Sequence, residues 1–284
     1  MSAGSGIAPG ARAGLRGSRG SRGSGAEWMP PAWARVAAPL VVGAVGLALW
    51  AGWVASGAAP RMLPGPLAIL TEFTARFGII AEAIGVTGTN ALMGLVAGSL
   101  IAIALAALAA VWRPFDGMSA PLVAALAVVP IVALTPILNT MFGASSQFGR
   151  QVVAGIAAFV PVFLNTLRGL RQTTPVQRDL FRATAATPGQ SFRLLALPAA
   201  VPLVSSGVRI AASLAVISAL VAEYFGGPAD GIGTAIATYA KSGRASLAWA
   251  FVLGGILIGL IFFIVTSLLE RWATRRLGAG RQPG

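Results

Sequence analysis

The chain has 284 residues, of which 56% are hydrophobic and only 10% are charged, and its mean hydropathy is +0.79. Soluble domains carry about 25% charged residues, so this composition indicates an integral membrane protein. The chain contains no cysteine, no histidine and only eight carboxylates. These absences exclude disulfides, thiol nucleophiles, Cys/His metal sites and a histidine general base.

The net charge of +13 is compatible with nucleic-acid binding as well as with membrane insertion. The arginines are concentrated before the first apolar block, in one central loop and after the last apolar block. Lys and Arg are retained on the cytoplasmic side of a membrane. The distribution therefore favours a membrane protein with both termini in the cytoplasm, and no nucleic acid as a partner.

Residues 1–34 are rich in Gly, Ser, Ala and Arg, which predicts a disordered cytoplasmic tail. The first apolar block, 36–56, is either a cleaved signal peptide or a retained transmembrane helix. We favour the helix because the block exceeds the core of a signal peptide, which has about 7–15 residues. The block also has Trp33, Trp50 and Trp53 at its flanks, where they suit anchoring at the membrane interface.

The rest of the chain predicts an all-α membrane protein with about six transmembrane helices. Residues 59–84 start with two prolines and mix charged with apolar residues, so they predict an amphipathic helix lying at the interface. The further predicted spans are 88–111, 119–141, 151–167, 200–222 and 247–268. The membrane domain then covers 35–272, and 273–284 form a C-terminal cytoplasmic tail.

A few residues within the spans are candidates for function. Pro130 and Pro136 kink the third span, which either lines a moving pathway or is ordinary proline tolerance. Glu223, near the outer end of the fifth span, is costly in a membrane, so it is either functional, or it reaches the interface or pairs structurally. Arg209 is expected to extend to the inner surface or to contact the central loop. Asn165, like Asn90 and Asn139, either bonds between helices or faces a substrate.

The central loop, 168–198, is the one long polar stretch between predicted spans. Thr174-Pro175-Val176-Gln177 has the pattern of a capping box, and Thr187-Pro188-Gly189-Gln190 repeats it. Pro188 also disfavours helical backbone at Thr187. The sequence therefore predicts two short helices, 175–186 and 188–197, joined by a sharp turn.

The first of these helices places Val176, Leu180 and Phe181 at helical spacing, with Arg178, Asp179 and Arg182 on its other faces. Such a helix is suited to docking into a groove on another protein. It is equally suited to lying on the membrane with its arginines against phosphates. The residues alone leave both interpretations open.

The loop resembles the cytoplasmic coupling loop of binding-protein-dependent ABC-importer permeases, written Glu-Ala-Ala, three residues, Gly, nine residues, Ile-x-Leu-Pro. Gly189 is matched to the glycine of that motif, and Leu197-Pro198 to its terminal Leu-Pro. Ala185 is matched to the second alanine, while Ala183 and Thr184 stand where Glu and Ala are expected. The ATPase-coupling residues implied by the resemblance are Asp179, Arg182, Ala183, Ala185, Pro188, Gly189, Leu197 and Pro198.

The resemblance covers about 36–272 and is closest to the nitrate/sulfonate/taurine group. It is carried by 129–136, by 159–171, by 197–211 and by Val221-Ala222-Glu223-Tyr224-Phe225-Gly226-Gly227. The last segment and the Ala-Thr-Pro-Gly-Gln turn are similar to members handling pyrimidine or thiamine-precursor and riboflavin-like compounds. The resemblance implies the type I ABC importer permease fold in a bacterial cytoplasmic membrane. It implies three partners: a separate ABC ATPase, an extracytoplasmic binding protein and a second permease copy, forming a homodimer.

The sequence lacks a Gly-x4-Gly-Lys-Ser/Thr phosphate loop. We therefore expect a transport subunit without its own ATPase motif and without cofactors, with ATP bound by the partner subunit. The main competing function is a secondary transporter driven by an ion gradient, which would favour paired intramembrane carboxylates and inverted repeats. A membrane enzyme is disfavoured by the lack of histidine and cysteine and the scarcity of carboxylates, and a scaffold that only assembles a complex is compatible with the sequence.

Overall fold

The computed structural model describes residues 32–143 and 145–277, and every secondary-structure element in those ranges is helical. The elements are α1 (Ala32–Ala55), α2 (Pro66–Ala75), α3 (Phe77–Val111), α4 (Arg113–Val128), a 3-10 turn (Ile131–Leu134), α5 (Thr135–Phe142), α6 (Phe148–Arg171), α7 (Pro175–Ala183), α8 (Pro188–Ser191), a π turn (Phe192–Ala196), α9 (Leu197–Tyr224), α10 (Ile232–Lys241) and α11 (Ala245–Leu277). This confirms the all-α prediction. The predicted N-terminal tail lies outside the described residues except for its last three, which begin α1.

The chain divides into two units at Gly46 and Leu47. The described part of the first unit is the N-terminal stretch of α1, whose side chains from Ala38 to Gly46 are exposed. The second unit contains the end of α1 and all later helices. Within it, the Trp50 and Trp249 rings lie 6.0 Å apart, and the Trp249 indole donates a 2.9 Å hydrogen bond to the Met62 carbonyl.

Five helices in the described ranges are long and apolar enough to cross a membrane. Four correspond to the predicted first, fourth, fifth and sixth spans. The remaining helix is α3, which corresponds to the predicted second span. It begins at Phe77 and therefore includes the end of the segment predicted to lie at the interface, so that only α2 is left there. At about 1.5 Å per residue its 35 residues extend over about 52 Å, more than the roughly 30 Å of a hydrocarbon core.

The predicted third span, 119–141, is not one continuous helix. It is divided into α4, the 3-10 turn and α5. Pro130 follows the last residues of α4, and Pro136 stands in the first turn of α5, where its missing N–H leaves no hydrogen bond unmade. The two prolines thus end one helix and begin another instead of merely kinking a single one.

Helices α3 and α6 run parallel and touch through glycine. A Cβ atom added at Gly94 would lie 2.5 Å from the Ala154 Cβ, and one at Gly98 would lie 2.3 Å from the Gly155 carbonyl oxygen. Residues later in α3 thus contact residues later in α6, so the two helices run in the same direction. Because small residues let helix backbones approach closely, this contact forms a seam of the bundle.

The parallel direction of α3 and α6 settles the course of the broken segment. A chain that leaves α3 at Val111 must return to the opposite end of the bundle before α6 starts at Phe148. The contacts agree: Asp116 in the first turn of α4 pairs with Arg171 at the end of α6, whereas Asn139 of α5 lies beside Gly149 at the start of α6. Residues 113–142 therefore traverse the bundle as an interrupted element.

Candidate functional site

The central loop is organised by the two predicted capping boxes, and both are present. The Thr174 hydroxyl accepts from the Gln177 backbone N–H while the Gln177 side chain accepts from the Thr174 N–H, at 3.3 and 3.0 Å. Thr187 and Gln190 repeat the arrangement at 3.3 and 2.8 Å. Each box satisfies helical N–H groups that would otherwise lack partners, so both helices of the loop start where the sequence predicts.

Helix α7 ends earlier than predicted, at Ala183, in a left-handed turn. Ala185 has a φ of +54°, the only positive value at a residue other than glycine in the described ranges. Its N–H donates to the Arg182 carbonyl and the Ala186 N–H donates to the Phe181 carbonyl, each at 3.0 Å. This is the Schellman motif, in which the left-handed position is usually occupied by glycine. In Ala185 this conformation is sterically unfavourable, because the residue has a Cβ atom.

Helix α8 continues through a π turn into α9, so the second loop helix is not an isolated element. The Leu197 N–H donates to the Phe192 carbonyl, five residues back. Pro198 follows immediately and has no N–H to donate. The α-helical hydrogen bonding is thereby interrupted where the loop joins the first residues of α9, Leu197 and Pro198.

The exposed face of α7 carries apolar and charged groups together. Val176 is 78% exposed and Leu180 is 62% exposed. Asp179 and Arg182 pair at 3.2 Å, and both side chains are largely in contact with solvent. Gly189, within the first turn of α8, has open space where a Cβ would stand. The loop therefore presents an exposed surface that carries apolar and charged groups.

Two contacts attach the loop to the helices beside it. Arg171 forms a 2.5 Å ion pair with Asp116, and the Gln172 side chain donates to the Ala199 carbonyl at the start of α9. The end of α6 is thus tied to the first turns of α4 and α9. Together with the capping boxes, these contacts make the loop a defined structural element.

Arg209 pairs with a carboxylate on α11, a contact that the sequence did not predict. Its Nε lies 3.0 Å from Glu270 Oε2, and its side chain is 37% exposed. The extension of Arg209 to the inner surface or to the central loop stays a prediction. Antiparallel packing of α9 and α11 brings the two residues together. The separation of Arg209 from Glu223 on the same helix is retained, as expected from their spacing.

Glu223 is at the centre of a buried polar cluster at the opposite end of α9. Its side chain is completely buried. Oε2 accepts from the Thr87 hydroxyl at 2.8 Å and from the Gly233 N–H at 3.0 Å, and Oε1 accepts from Asn90 Nδ2 at 3.5 Å. These hydrogen bonds offset the cost of burying the carboxylate. They also connect α3, α9 and α10 through one side chain.

Arg150, in the first turn of α6, is the second ionic member of the cluster and is also completely buried. Nη1 lies 4.0 Å from Glu223 Oε1 and donates at 3.2 Å to Asp230. Nη2 donates to the carbonyls of Gly226 and Pro228 and, at 3.2 Å, to the Thr234 hydroxyl. One guanidinium therefore contacts most of the loop between α9 and α10.

Amide side chains complete the cluster on α3 and α6. Asn90 donates at 2.8 Å to Gln147 and accepts at 3.3 Å from Gln151, while Gln147 donates at 2.7 Å to Asp230. Asn90 thus bonds between helices. Asn165 instead donates to the Pro161 carbonyl of its own helix at 2.8 Å, and its Cβ packs against Gly207 of α9.

The sequence pattern singled out Glu223 but not Arg150, which it placed just outside the fourth span. An arginine at the end of a span has the same pattern whether it faces the interface or the protein interior. The signal that was available is the polar run Gln147, Arg150 and Gln151, whose spacing places all three on neighbouring faces of one helix.

Comparison with known proteins identifies the family. The model of the binding-protein-dependent transport system inner membrane component matches residues 94–278. A probable ABC transporter permease protein of Haemophilus influenzae is 27% identical over 84% of this chain and 97% of its own length. The formylaminopyrimidine transport permease protein ThiX of Halalkalibacterium halodurans is 38% identical over 37% of this chain and 42% of its own.

A solved structure supports the same fold. A chain of the inward-facing MetNI methionine ABC transporter superposes with a TM-score of 0.60 at 18% identity, covering 71% of this chain and 99% of that chain. The type I permease fold expected from the resemblance is therefore confirmed. The chain belongs to the binding-protein-dependent transport system inner membrane components and is the membrane-spanning permease of an ABC importer.

Proposed function

We propose that this permease has no ATP site of its own and is driven by an ATPase subunit that docks on the central loop. The observation that carries the proposal is the capped helix α7 with an exposed apolar and charged face. An amphipathic helix of this kind fits a groove on a partner protein. Arg171 and Gln172 tie the start of the loop to α4 and α9, and this fixed starting point favours docking over a helix lying free on the membrane.

We assign the coupling motif in a different register from the one that places its glycine at Gly189. Counting back from Leu197-Pro198 with the spacing of the motif puts Ala185 at the glycine position and Asp179 at the glutamate position. The left-handed backbone of Ala185 supports this register, because a glycine is favoured in that conformation. Gly189 lies in open space on a helical turn, where nothing in this chain demands glycine.

This register places an acidic residue, Asp179, at the glutamate position of the motif, whereas the register based on Gly189 places Ala183 there. Asp179 is exposed, and Arg182 lies one turn further along the same helix. Leu180 and Phe181 replace the two alanines of the motif, so the docking face is bulkier than the motif prescribes. Asp179 and Arg182 are proposed to contact the ATPase.

The absence of a phosphate-loop sequence supports ATP binding by a separate subunit. The chain has a single lysine, Lys241, and it lies at the end of α10. No Gly-x4-Gly-Lys-Ser/Thr run surrounds it. We therefore propose a non-enzymatic transport subunit without a bound cofactor.

We propose six crossings of the membrane, with both termini and the central loop in the cytoplasm. Five long helices and the interrupted segment 113–142 supply the crossings. The arginine-rich central loop and C-terminal end of α11 then lie on the same side, as retention of basic residues requires. The cluster of Arg150 and Glu223 lies towards the outer side.

The interrupted segment is proposed to line the substrate pathway. Irregular backbone at membrane depth is tolerated where it is buried in protein or borders a water-filled cavity. The Thr135 hydroxyl and the side-chain amide oxygen of Asn139 are buried there without a hydrogen-bond partner in the part of the chain that is described. Such groups, beside Pro130 and Pro136, suit a passage for a polar solute.

The proposed assembly contains two copies of this permease, two ATPase subunits and an extracytoplasmic binding protein. The names of the matched family and of the MetNI neighbour support the ATPase and the binding protein. We propose a substrate of the formylaminopyrimidine type, since the ThiX relative has the higher identity of the two relatives described above. Riboflavin-like compounds and taurine are the comparison ligands.

The test is to purify the tagged permease from its native membranes in mild detergent and to measure bound ATPase and subunit masses. An ABC ATPase at one copy per permease, in a complex with two permeases, supports the proposal. Uptake that persists in energised vesicles depleted of ATP would exclude it in favour of a secondary transporter. Binding of formylaminopyrimidine, riboflavin and taurine to the cognate binding protein then tests the substrate class.

A further inference from the structure

The loop between α9 and α10, residues 225–231, is held to α6 mainly by one buried side chain, Arg150. Arg150 donates to the backbone at Gly226 and Pro228 and to the Asp230 carboxylate. Gln147 adds a 2.7 Å hydrogen bond to the other oxygen of Asp230. We infer that Arg150 and Asp230 are positioning residues for transport, forming a latch that holds this loop on α6 and releases it once in each cycle.

The two carboxylates that face Arg150 differ in a way that makes one of them releasable. Glu223 is completely buried and is fixed by Thr87, Asn90 and the Gly233 N–H. Asp230 is 46% exposed. Water replaces Arg150 around the exposed Asp230 carboxylate at smaller cost than around the buried Glu223, and the completely buried guanidinium keeps Glu223 as its counter-charge. Opening therefore separates Asp230 from Arg150 and leaves Glu223 in place.

The loop has the backbone freedom that such a movement needs. Gly226 and Gly227 have φ values of 142° and 102°, which residues with side chains rarely adopt. At Gly227 an added Cβ would lie 3.0 Å from the Arg150 Nε. The glycines thus let the loop backbone pack directly against the guanidinium. They also let the backbone dihedral angles change beside the end of α9.

Helix α9 links this latch to the central loop. It begins at Leu197, directly after the π turn, and ends at Tyr224, directly after Glu223. Its 28 residues extend over about 42 Å at 1.5 Å each. A continuous helix of this length transmits a shift at one end to the other, as in domain motions carried by rigid elements. Movement of the central loop therefore displaces residues 225–231 relative to Arg150 on α6.

The inference rests on the proposed function, because the latch has a role only if the central loop is driven by an ATPase. The first experiment compares Asp230→Asn with Glu82→Gln, a matched control at an exposed carboxylate on α3. Purified complexes are reconstituted in proteoliposomes. ATP hydrolysis without binding protein, substrate uptake per ATP and thermal unfolding are measured.

With a latch, Asp230→Asn raises ATP hydrolysis in the absence of binding protein about two- to fivefold, the range expected for loss of an ion pair whose carboxylate is partly exposed. Uptake per ATP falls, and the unfolding temperature stays within the range of the control. Unchanged hydrolysis and unchanged uptake per ATP overturn the inference. So does a loss of both activities in proportion to a loss of folded protein, which indicates a structural contact alone.

A second experiment uses the absence of cysteine from the chain. The double variant Gln147→Cys/Asp230→Cys is treated with a short bis-methanethiosulfonate crosslinker, which forms a reducible disulfide with each cysteine and releases sulfinate, and so fixes the loop to the start of α6. Transport is expected to stop on cross-linking and to return on reduction. Transport by the cross-linked complex at the rate of the reduced complex refutes the latch. Failure of the proposed function is distinct, since the wild-type complex would then contain no ATPase and need no ATP.

Discussion

Thr87 and Glu223 share a 2.8 Å hydrogen bond that joins α3 to the end of α9. The same Thr87 hydroxyl oxygen accepts the Ile232 N–H at 3.0 Å. One small side chain thus holds the buried carboxylate and the start of α10 at once. Since hydrogen bonds within a buried network polarise one another, this residue contributes more than its size suggests.

Replacement of Thr87 by valine keeps the shape of the side chain and removes both hydrogen bonds. The bond to the Glu223 carboxylate is worth about 1.5–3 kcal/mol and the neutral bond from the Ile232 N–H about 0.5–1.5 kcal/mol, so we expect Thr87→Val to lower the free energy of unfolding by about 2–4.5 kcal/mol. The measurement is denaturant or thermal unfolding of the detergent-solubilised permease. Thr89→Val is the matched control, because the exposed Thr89 hydroxyl bonds only to its own helix at Gly85. Equal stability of the two variants would contradict the assignment.

The seam between α3 and α6 provides a second prediction. A methyl group at Gly98 would stand 2.3 Å from the backbone oxygen of Gly155, and helix backbone cannot move aside locally. We expect Gly98→Ala to separate the helices and to destabilise the protein by about 1–3 kcal/mol, as overpacking does. Gly85→Ala, also on α3, serves as the control because the space at its Cβ position is open. Alanine has a higher helix propensity than glycine, so this variant is expected to be at least as stable as the wild type. Thermal unfolding of both variants gives the comparison.

The local rules of helix termini made much of the central loop predictable. Thr174 and Thr187 carry their cap signals within four residues of sequence, and both boxes form. The end of α7 at Ala183 was misplaced because the left-handed residue is alanine, which does not mark a helix end as glycine would. Cap chemistry is local, so sequence reports it directly.

Contacts between distant segments were not predictable in the same way. The pairing of Arg209 with Glu270 and the burial of Arg150 depend on which helices are neighbours and in which direction they run. A single sequence gives the apolar faces of the spans but not their order around the bundle. The interrupted third span shows the same limit, since prolines in a span are compatible with a kink or a complete break.

The ion pair of Arg209 and Glu270 leads to a third prediction. Their side chains are 37% and 21% exposed, so the pair is only partly removed from solvent or headgroups. Glu270→Gln leaves the arginine without its counter-charge, and we expect a loss of about 1–3 kcal/mol in the free energy of unfolding. The exchanged variant Arg209→Glu/Glu270→Arg is expected to recover at least half of that loss. A double-mutant cycle by thermal unfolding measures the coupling, and additive effects of the two single exchanges would show that the pair contributes nothing.

The fourth prediction decides between the two registers of the coupling motif. At Ala185 the backbone is left-handed, so Ala185→Gly relieves strain while Ala185→Val increases it, because branched residues are outliers in that region. We expect Ala185→Gly to retain or increase the ATP hydrolysis stimulated by substrate-loaded binding protein, and Ala185→Val to reduce it about tenfold, corresponding to about 1.4 kcal/mol of lost coupling.

Gly189 provides the matched comparison, since its Cβ position is open and its backbone is helical. Gly189→Ala is expected to leave stimulated hydrolysis within about twofold of wild type, because helix position and space both accept alanine. Asp179→Asn, by contrast, is expected to weaken ATPase binding without changing thermal unfolding, since its side chain is exposed. If Gly189→Ala abolished stimulation while Ala185→Val and Asp179→Asn did not, the glycine of the motif would be Gly189. The left-handed turn at Ala185 would then serve only to join two helices.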